Sequence, residues 1–321
     1  MSNLPRRWGR GAPAGGQFVG NVHPESGTEL GSSDPYAAYS YDLGTAGARD
    51  ALLDVLVALE AHREALVIVG AQAVYERTRH LSGVVPTSTK DGDIAVDPTL
   101  LSKEPLIGEA MAGAGFFAAR PERPGIYSQA PTPPGGNPVP PTIDLIAPEV
   151  IAGVQNVGTN KKRGARIEGH GKKVVGRADG IEMAMIDLDL LVIEPMNTSH
   201  RTPIEVKVAG VGGLLSAKAW KLHQRFVEAD GGKPHRLLPK DAGDVWRLMA
   251  VSDPNKIRET FDRCEQHPQF GVSTAIGRQR LIEMFAPGGR GSALAEENFL
   301  DQMDGNRVRA VIDAWVARFT A

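Results

Sequence analysis

Apolar positions along the chain fall into two regimes, alternating short runs first and helical stripes afterwards. Leu52, Leu53, Val55, Leu56 and Leu59 recur at the spacing of one helix face, so order is expected to begin near Ala46. The apolar run over residues 65–69 stops at Gly70 and reads as a buried strand, after which residues 71–78 resume a helical period. Residues 93–97, bounded by Gly92 and Pro98, read as the next strand, and a helix is expected over residues 106–114. Further strands are expected at 142–146, 186–193 and 204–208. From there the pattern turns helical, at 214–227, 241–251, 256–264, 274–284 and 294–319, with breakers such as Asp253-Pro254 and Pro287-Gly288-Gly289 between.

The intervening segments complete the division. Residues 1–44 are rich in Gly, Pro and Ser without any period and are expected to form a flexible or draped arm. Six prolines and two glycines over residues 129–141 predict a loop. The fold class expected is α+β. A mixed sheet with flanking helices occupies residues 45–210, and a C-terminal helical domain occupies residues 211–321.

Composition changes this picture little. Hydrophobic residues make up 41% and charged residues 23% of 321, an ordinary globular balance. A formal net charge of −2 demands no polyanionic partner, so any nucleic-acid contact must come from a local patch. The single cysteine, Cys264, excludes an internal disulfide framework and a cysteine-based zinc site, and the histidines lack metal-ligand spacing. No apolar run is long enough to span a bilayer, and Arg6, Arg7 and Arg10 are followed by no apolar stretch. A cytoplasmic protein without a membrane partner is the expectation.

The chemistry concentrates in Thr89-Lys90-Asp91-Gly92-Asp93-Ile94. Side chains alternate faces along a strand, so Asp91 and Asp93 project the same way, about 7 Å apart. Two such carboxylates repel unless a cation lies between them, and Mg²⁺ commonly binds one or two carboxylates together with phosphate oxygens. Asp144 stands in the apolar strand Thr-Ile-Asp-Leu-Ile, where an unpartnered charge is expensive. If that strand lies beside the one carrying Asp93, three carboxylates converge. Two metals could then be clamped, and Asp144 could take the proton of an attacking hydroxyl.

Plainer readings stand beside these. Asp-Gly is a common turn signal. A second Asp-x-Asp, Asp187 and Asp189, fits an amphipathic strand with a wet face. Lys218, Lys221 and Arg225 fit a solvated helix face, and Lys240, Asp241 and Asp244 fit a helix start with acidic first-turn residues. The basic stretch Lys161, Lys162, Arg163, Arg166, Lys172, Lys173 and Arg177 fits either RNA phosphates or a mobile charged hairpin.

Three segments taken in order resemble the nucleotidyltransferase (polymerase-beta-like) pattern: Val67 to Val74 with its Gly70-Ala71 turn, Asp91-Gly92-Asp93-Ile94, and Ile143-Asp144-Leu145. Leu214-Leu215-Ser216-Ala217-Lys218 with Arg225, followed by Lys240-Asp241-Ala242-Gly243-Asp244, is similar to the AbiEii/AbiGii-type toxin nucleotidyltransferases. The resemblance spans roughly residues 50–252. It implies a nucleotidyltransferase-like sheet and transfer of a nucleoside monophosphate from an NTP to a hydroxyl of RNA, tRNA among the candidates, or protein. It also implies a cognate antitoxin as partner. By the same resemblance Asp91, Asp93 and Asp144 hold Mg²⁺ or Mn²⁺ and Lys218 neutralises triphosphate charge. Asp241 would line the pocket from the helical side, and Gly70, Ala71, Lys90, Lys218 and Lys221 would contact the nucleotide. The chain departs from the pattern at Ala71, where many relatives have serine or glycine, and in the length of chain between Gly70 and Asp91. These departures keep open a weakened NTP-binding protein of the same fold, and the acids alone keep open a two-metal phosphohydrolase or nuclease.

Overall fold

A computed structural model describes residues 42–120, 122–129, 140–153, 164–196 and 201–321. Helix α1 (Leu43–Ala58) opens on Asp42, whose carboxylate accepts the backbone N–H groups of Gly44 and Thr45. That cap starts the helix before the apolar stripe begins. Residues 1–41 of the expected arm, and most of the proline-rich loop, lie outside the described residues.

Strand β1 (Leu66–Val69) runs into α2 (Gly70–Thr78), and β2 (Asp91–Val96) follows. Next come α3 (Ile107–Gly113), β3 (Phe117–Ala118), β4 (Ile126–Ser128), β5 (Thr142–Pro148) and β6 (Gly176–Ala178). The pair β7 (Leu188–Ile193) and β8 (Ile204–Ala209) completes the sheet. Its order is β3-β4-β5-β2-β1-β8-β7, with β6 alongside β5. The sheet is mixed: β1 lies antiparallel to β2 and parallel to β8, and β2 lies parallel to β5. The chain is therefore α+β, with an open mixed sheet and many helices.

After β8 come α4 (Val211–Asp230), α5 (Pro239–Val251), α6 (Pro254–Glu265), α7 (Gly271–Phe285), α8 (Arg290–Asn298) and α9 (Gly305–Thr320). The single helix expected over 294–319 is two. The chain leaves α8 at Phe299, and Asp304 restarts it by accepting the N–H of Asn306. At β7 the strand begins two residues later than the apolar run, because Ile186 and Asp187 belong to the turn before it.

Sheet and helices share one buried core that runs from Leu52 and Ile68 through Leu215 and Leu222 to Phe285 and Trp315. Each fully buried Leu or Ile contributes about 1.5–3 kcal/mol. Two buried arginines stitch the layers. Arg247 on α5 donates to Thr78 Oγ1 and the Val84 carbonyl, and Arg49 on α1 pairs with Glu76 on α2 at 2.6 Å. Among the described residues no helix is long and apolar enough to cross a membrane.

Candidate functional site

The site is built on the turn between β1 and α2. Gly70 has φ +67°, the left-handed region that glycine occupies without strain. It adjoins Val69, whose partner across the antiparallel ladder is Asp93. A Cβ at Gly70 would fall inside the Asp93 carboxylate. The turn therefore supplies both the chain reversal and the room for an acid.

On the other side of β2 the parallel register pairs Asp93 with Asp144 and Asp91 with Thr142. The pleat then sorts the side chains. Gly92, Ile94, Ile143 and Leu145 are buried on one face, while Asp91, Asp93 and Asp144 keep some exposure on the other. All three acids line one cleft. The Thr89 hydroxyl donates to Asp91. Asp144 Oδ1 is buried with no hydrogen-bond partner among the described residues.

The electrostatics follow from this crowding. Burial, then the neighbouring Asp93 and Asp91, push the Asp144 carboxyl up to about 8. Burial and Asp91 push Asp93 up to about 6, while Lys221, Lys218 and Lys240 pull against the rise. A half-buried carboxylate pair side by side, with Asp144 Oδ1 unpartnered among the described residues, fits a divalent cation. Among the described residues no three His, Cys, Asp or Glu side chains close tightly enough to cage an ion by themselves. A cation here would be held by the aspartates together with ligand or water oxygens.

The cleft has a volume of about 840 Å³, and its opposite wall is α4 and the start of α5. Lys218 is nearly enclosed, its side chain 7% exposed, and its ammonium lies 3.1 Å from Asp241 Oδ1 and 2.6 Å from Asp244 Oδ2. Lys221 reaches the same Asp241 oxygen at 2.9 Å. Burial works against the Lys218 charge, but Asp244 and Asp241 outweigh it and hold its pKa well above the usual lysine value. Burial likewise opposes the Asp241 charge, and Lys218 and Lys221 override it to hold that carboxyl well below its ordinary range.

Of the residues singled out from sequence, Gly70, Ala71, Asp91, Asp93, Asp144, Lys218, Lys221 and Asp241 all line this cleft. Lys90 does not; it is exposed and lies beside Gly44 at the start of α1. The second Asp-x-Asp is structural. Asp187 accepts the Gly213 N–H at the start of α4, and Asp189 pairs with Arg77 at 2.7 Å. Of the basic stretch, Arg177 reaches the cleft but pairs with Glu149 at 2.8 Å, and Lys161, Lys162 and Arg163 lie outside the described residues.

Asp244 and Lys240, both within the motif quoted from the sequence but given no site role there, belong to the cleft wall: Asp244 accepts from Lys218, and Lys240 lines the cleft. One contact escapes sequence reasoning. The Arg280 guanidinium stacks over the Trp220 ring at 3.7 Å, a contact between α7 and α4 that no local pattern announces. Compared with known proteins, the chain matches no family model, no curated sequence and no solved structure.

Proposed function

We propose that this chain is a metal-dependent nucleotidyltransferase that moves a nucleoside monophosphate from an NTP to a hydroxyl of an RNA or protein acceptor. One observation carries the reading. Asp93 and Asp144 stand in register on neighbouring parallel strands, with Asp91 on the same face, at the foot of a cleft beside the Gly70 turn.

Asp91 and Asp93 would hold Mg²⁺ or Mn²⁺, with Asp144 completing the set. The ion would supply charge neutralisation of the phosphates and polarisation of the phosphorus under attack. The protein's own residues do the rest. An acceptor oxygen bonds to the α-phosphorus as the bond to the leaving pyrophosphate breaks, and Asp144, ionised once a cation sits beside it, takes the hydroxyl proton. The absence of a side chain at Gly70 leaves the Asp93 carboxylate the space it occupies. In-line transfer at phosphorus is mostly positioning and electrostatics, which acids and lysines across one cleft supply.

A toxin-like role, tRNA as acceptor and a cognate antitoxin rest on the order of motifs alone, and a cytoplasmic setting rests on the cysteine content and apolar pattern. One observation favours a second reading, NTP binding without transfer: Ala71 offers no hydroxyl to a phosphate at the turn. Pyrophosphate release separates the two readings. Purified protein with Mg²⁺, each NTP in turn and total cellular RNA is expected to release pyrophosphate with at least one nucleotide. Binding without release from any of them would leave only the second reading.

A further inference from the structure

Lys218, the obvious cation for a triphosphate, is spoken for by Asp241 and Asp244 within a nearly closed pocket. Removing it to a ligand would strand the buried Asp244 and leave Asp241 with Lys221 alone. Lys240 is placed quite differently. It lines the cleft, it is partly exposed, and it forms no ion pair with any described residue. It also stands directly after Pro239, in the first turn of α5, where a cation faces the positive end of the helix dipole. The same turn holds Asp241, but that carboxylate is taken by Lys218 and Lys221. Lys221 is the second mobile charge. Its side chain is 43% exposed, and Asp241 keeps Lys218 as a partner if Lys221 swings away. Lys218 and Lys221 between them engage both Asp241 and Asp244, so Lys240 adds a charge with no described ion-pair partner to a cleft that Asp91, Asp93 and Asp144 also line.

We propose that Lys240 and Lys221 receive the triphosphate of the nucleotide, and that Lys218 is a structural post that holds Asp241 and Asp244 in place. The inference rests on the transferase reading and specifies its substrate-binding cations. It makes Lys240 a residue that gives up helix stability for a ligand contact, so removing it is expected to weaken binding without weakening the fold.

The test is calorimetric titration of the full chain with inorganic tripolyphosphate, each of the four common NTPs, and AMP, all with Mg²⁺. Lys240→Ala is expected to weaken tripolyphosphate and NTP binding about ten- to hundredfold and AMP binding about twofold or less. Lys240→Arg is expected to retain most of the affinity, and the melting temperature of Lys240→Ala is expected to be unchanged or slightly raised. Lys221→Ala serves as a second variant and is expected to lose affinity in the same direction. Equal tripolyphosphate affinity in the wild type and both alanine variants would overturn the inference and leave the transferase reading standing. Failure of the wild type to bind any triphosphate would overturn both.

Discussion

The Gly70 backbone and the Asp93 carboxylate occupy adjoining space so closely that no side chain fits between them. Gly70 also has φ +67°. Gly70→Ala thus meets two obstacles, a left-handed backbone that costs about 1–2 kcal/mol and a methyl group inside a carboxylate. The variant is expected to melt roughly 3–8 °C lower. It is also expected to lose transfer at least a hundredfold, because Asp93 must turn away from Asp144. Thermal denaturation alongside pyrophosphate release checks both, and an active variant would mean that the acid need not stand where it does.

The raised aspartates give a pH signature. Asp93 and Asp144 keep their protons in the fold at pH values where the unfolded chain has released them. Their contribution to stability is therefore full below about pH 4 and is lost as pH rises through the folded values near 6 and 8. Asp144→Asn removes the charge while keeping the shape. It is expected to melt about 3 °C or more above wild type at pH 8.5 without added metal, and level with it at pH 4. Adding Mg²⁺ at pH 8.5 is expected to raise the wild type more than the variant, which keeps Asp91 and Asp93 but lacks the third charge. A variant that gains nothing at high pH would show that the Asp144 charge is compensated.

Lys218 is read as a structural post between Asp241 and Asp244. Lys218→Ala takes from Asp244 its ion-pair partner and leaves Asp241 with Lys221 alone in a buried site, which costs about 3–5 kcal/mol. A fall of roughly 6–15 °C in melting temperature is expected. Asp244→Asn should lower it in the same direction by less, since Asp241 remains. A Lys218→Ala protein of unchanged stability would return Lys218 to the role of ligand cation.

Much of this was legible in the sequence because it depended on local pattern. The Gly70 stop, the Asp91–Asp93 alternation and the apolar frame of Asp144 each lie within a few residues. What the pattern could give only conditionally was the neighbour of β2, and the register of β2 on β5 resolves that condition. Strands β3, β4 and β6 are two or three residues long, too short for any period to show; β4 and β6 form by pairing with β5, and β3 by pairing with β4. The break between α8 and α9 falls where apolar residues continue to suit a helix, and Asp304 decides it by capping. The different duties of Lys218 and Lys240 are tertiary. Helical spacing puts lysines on α4, but only the packing of α5 against it determines which ammonium is enclosed and which faces the cleft.

The most direct test of the central claim follows label from α-³²P-labelled NTPs, offered one at a time with Mg²⁺ and total cellular RNA. Wild-type protein is compared with Asp91→Ala/Asp93→Ala. The account predicts label in RNA or in protein with at least one nucleotide, and none from the double variant. Equal labelling by the double variant, or none by the wild type with any nucleotide, would contradict it.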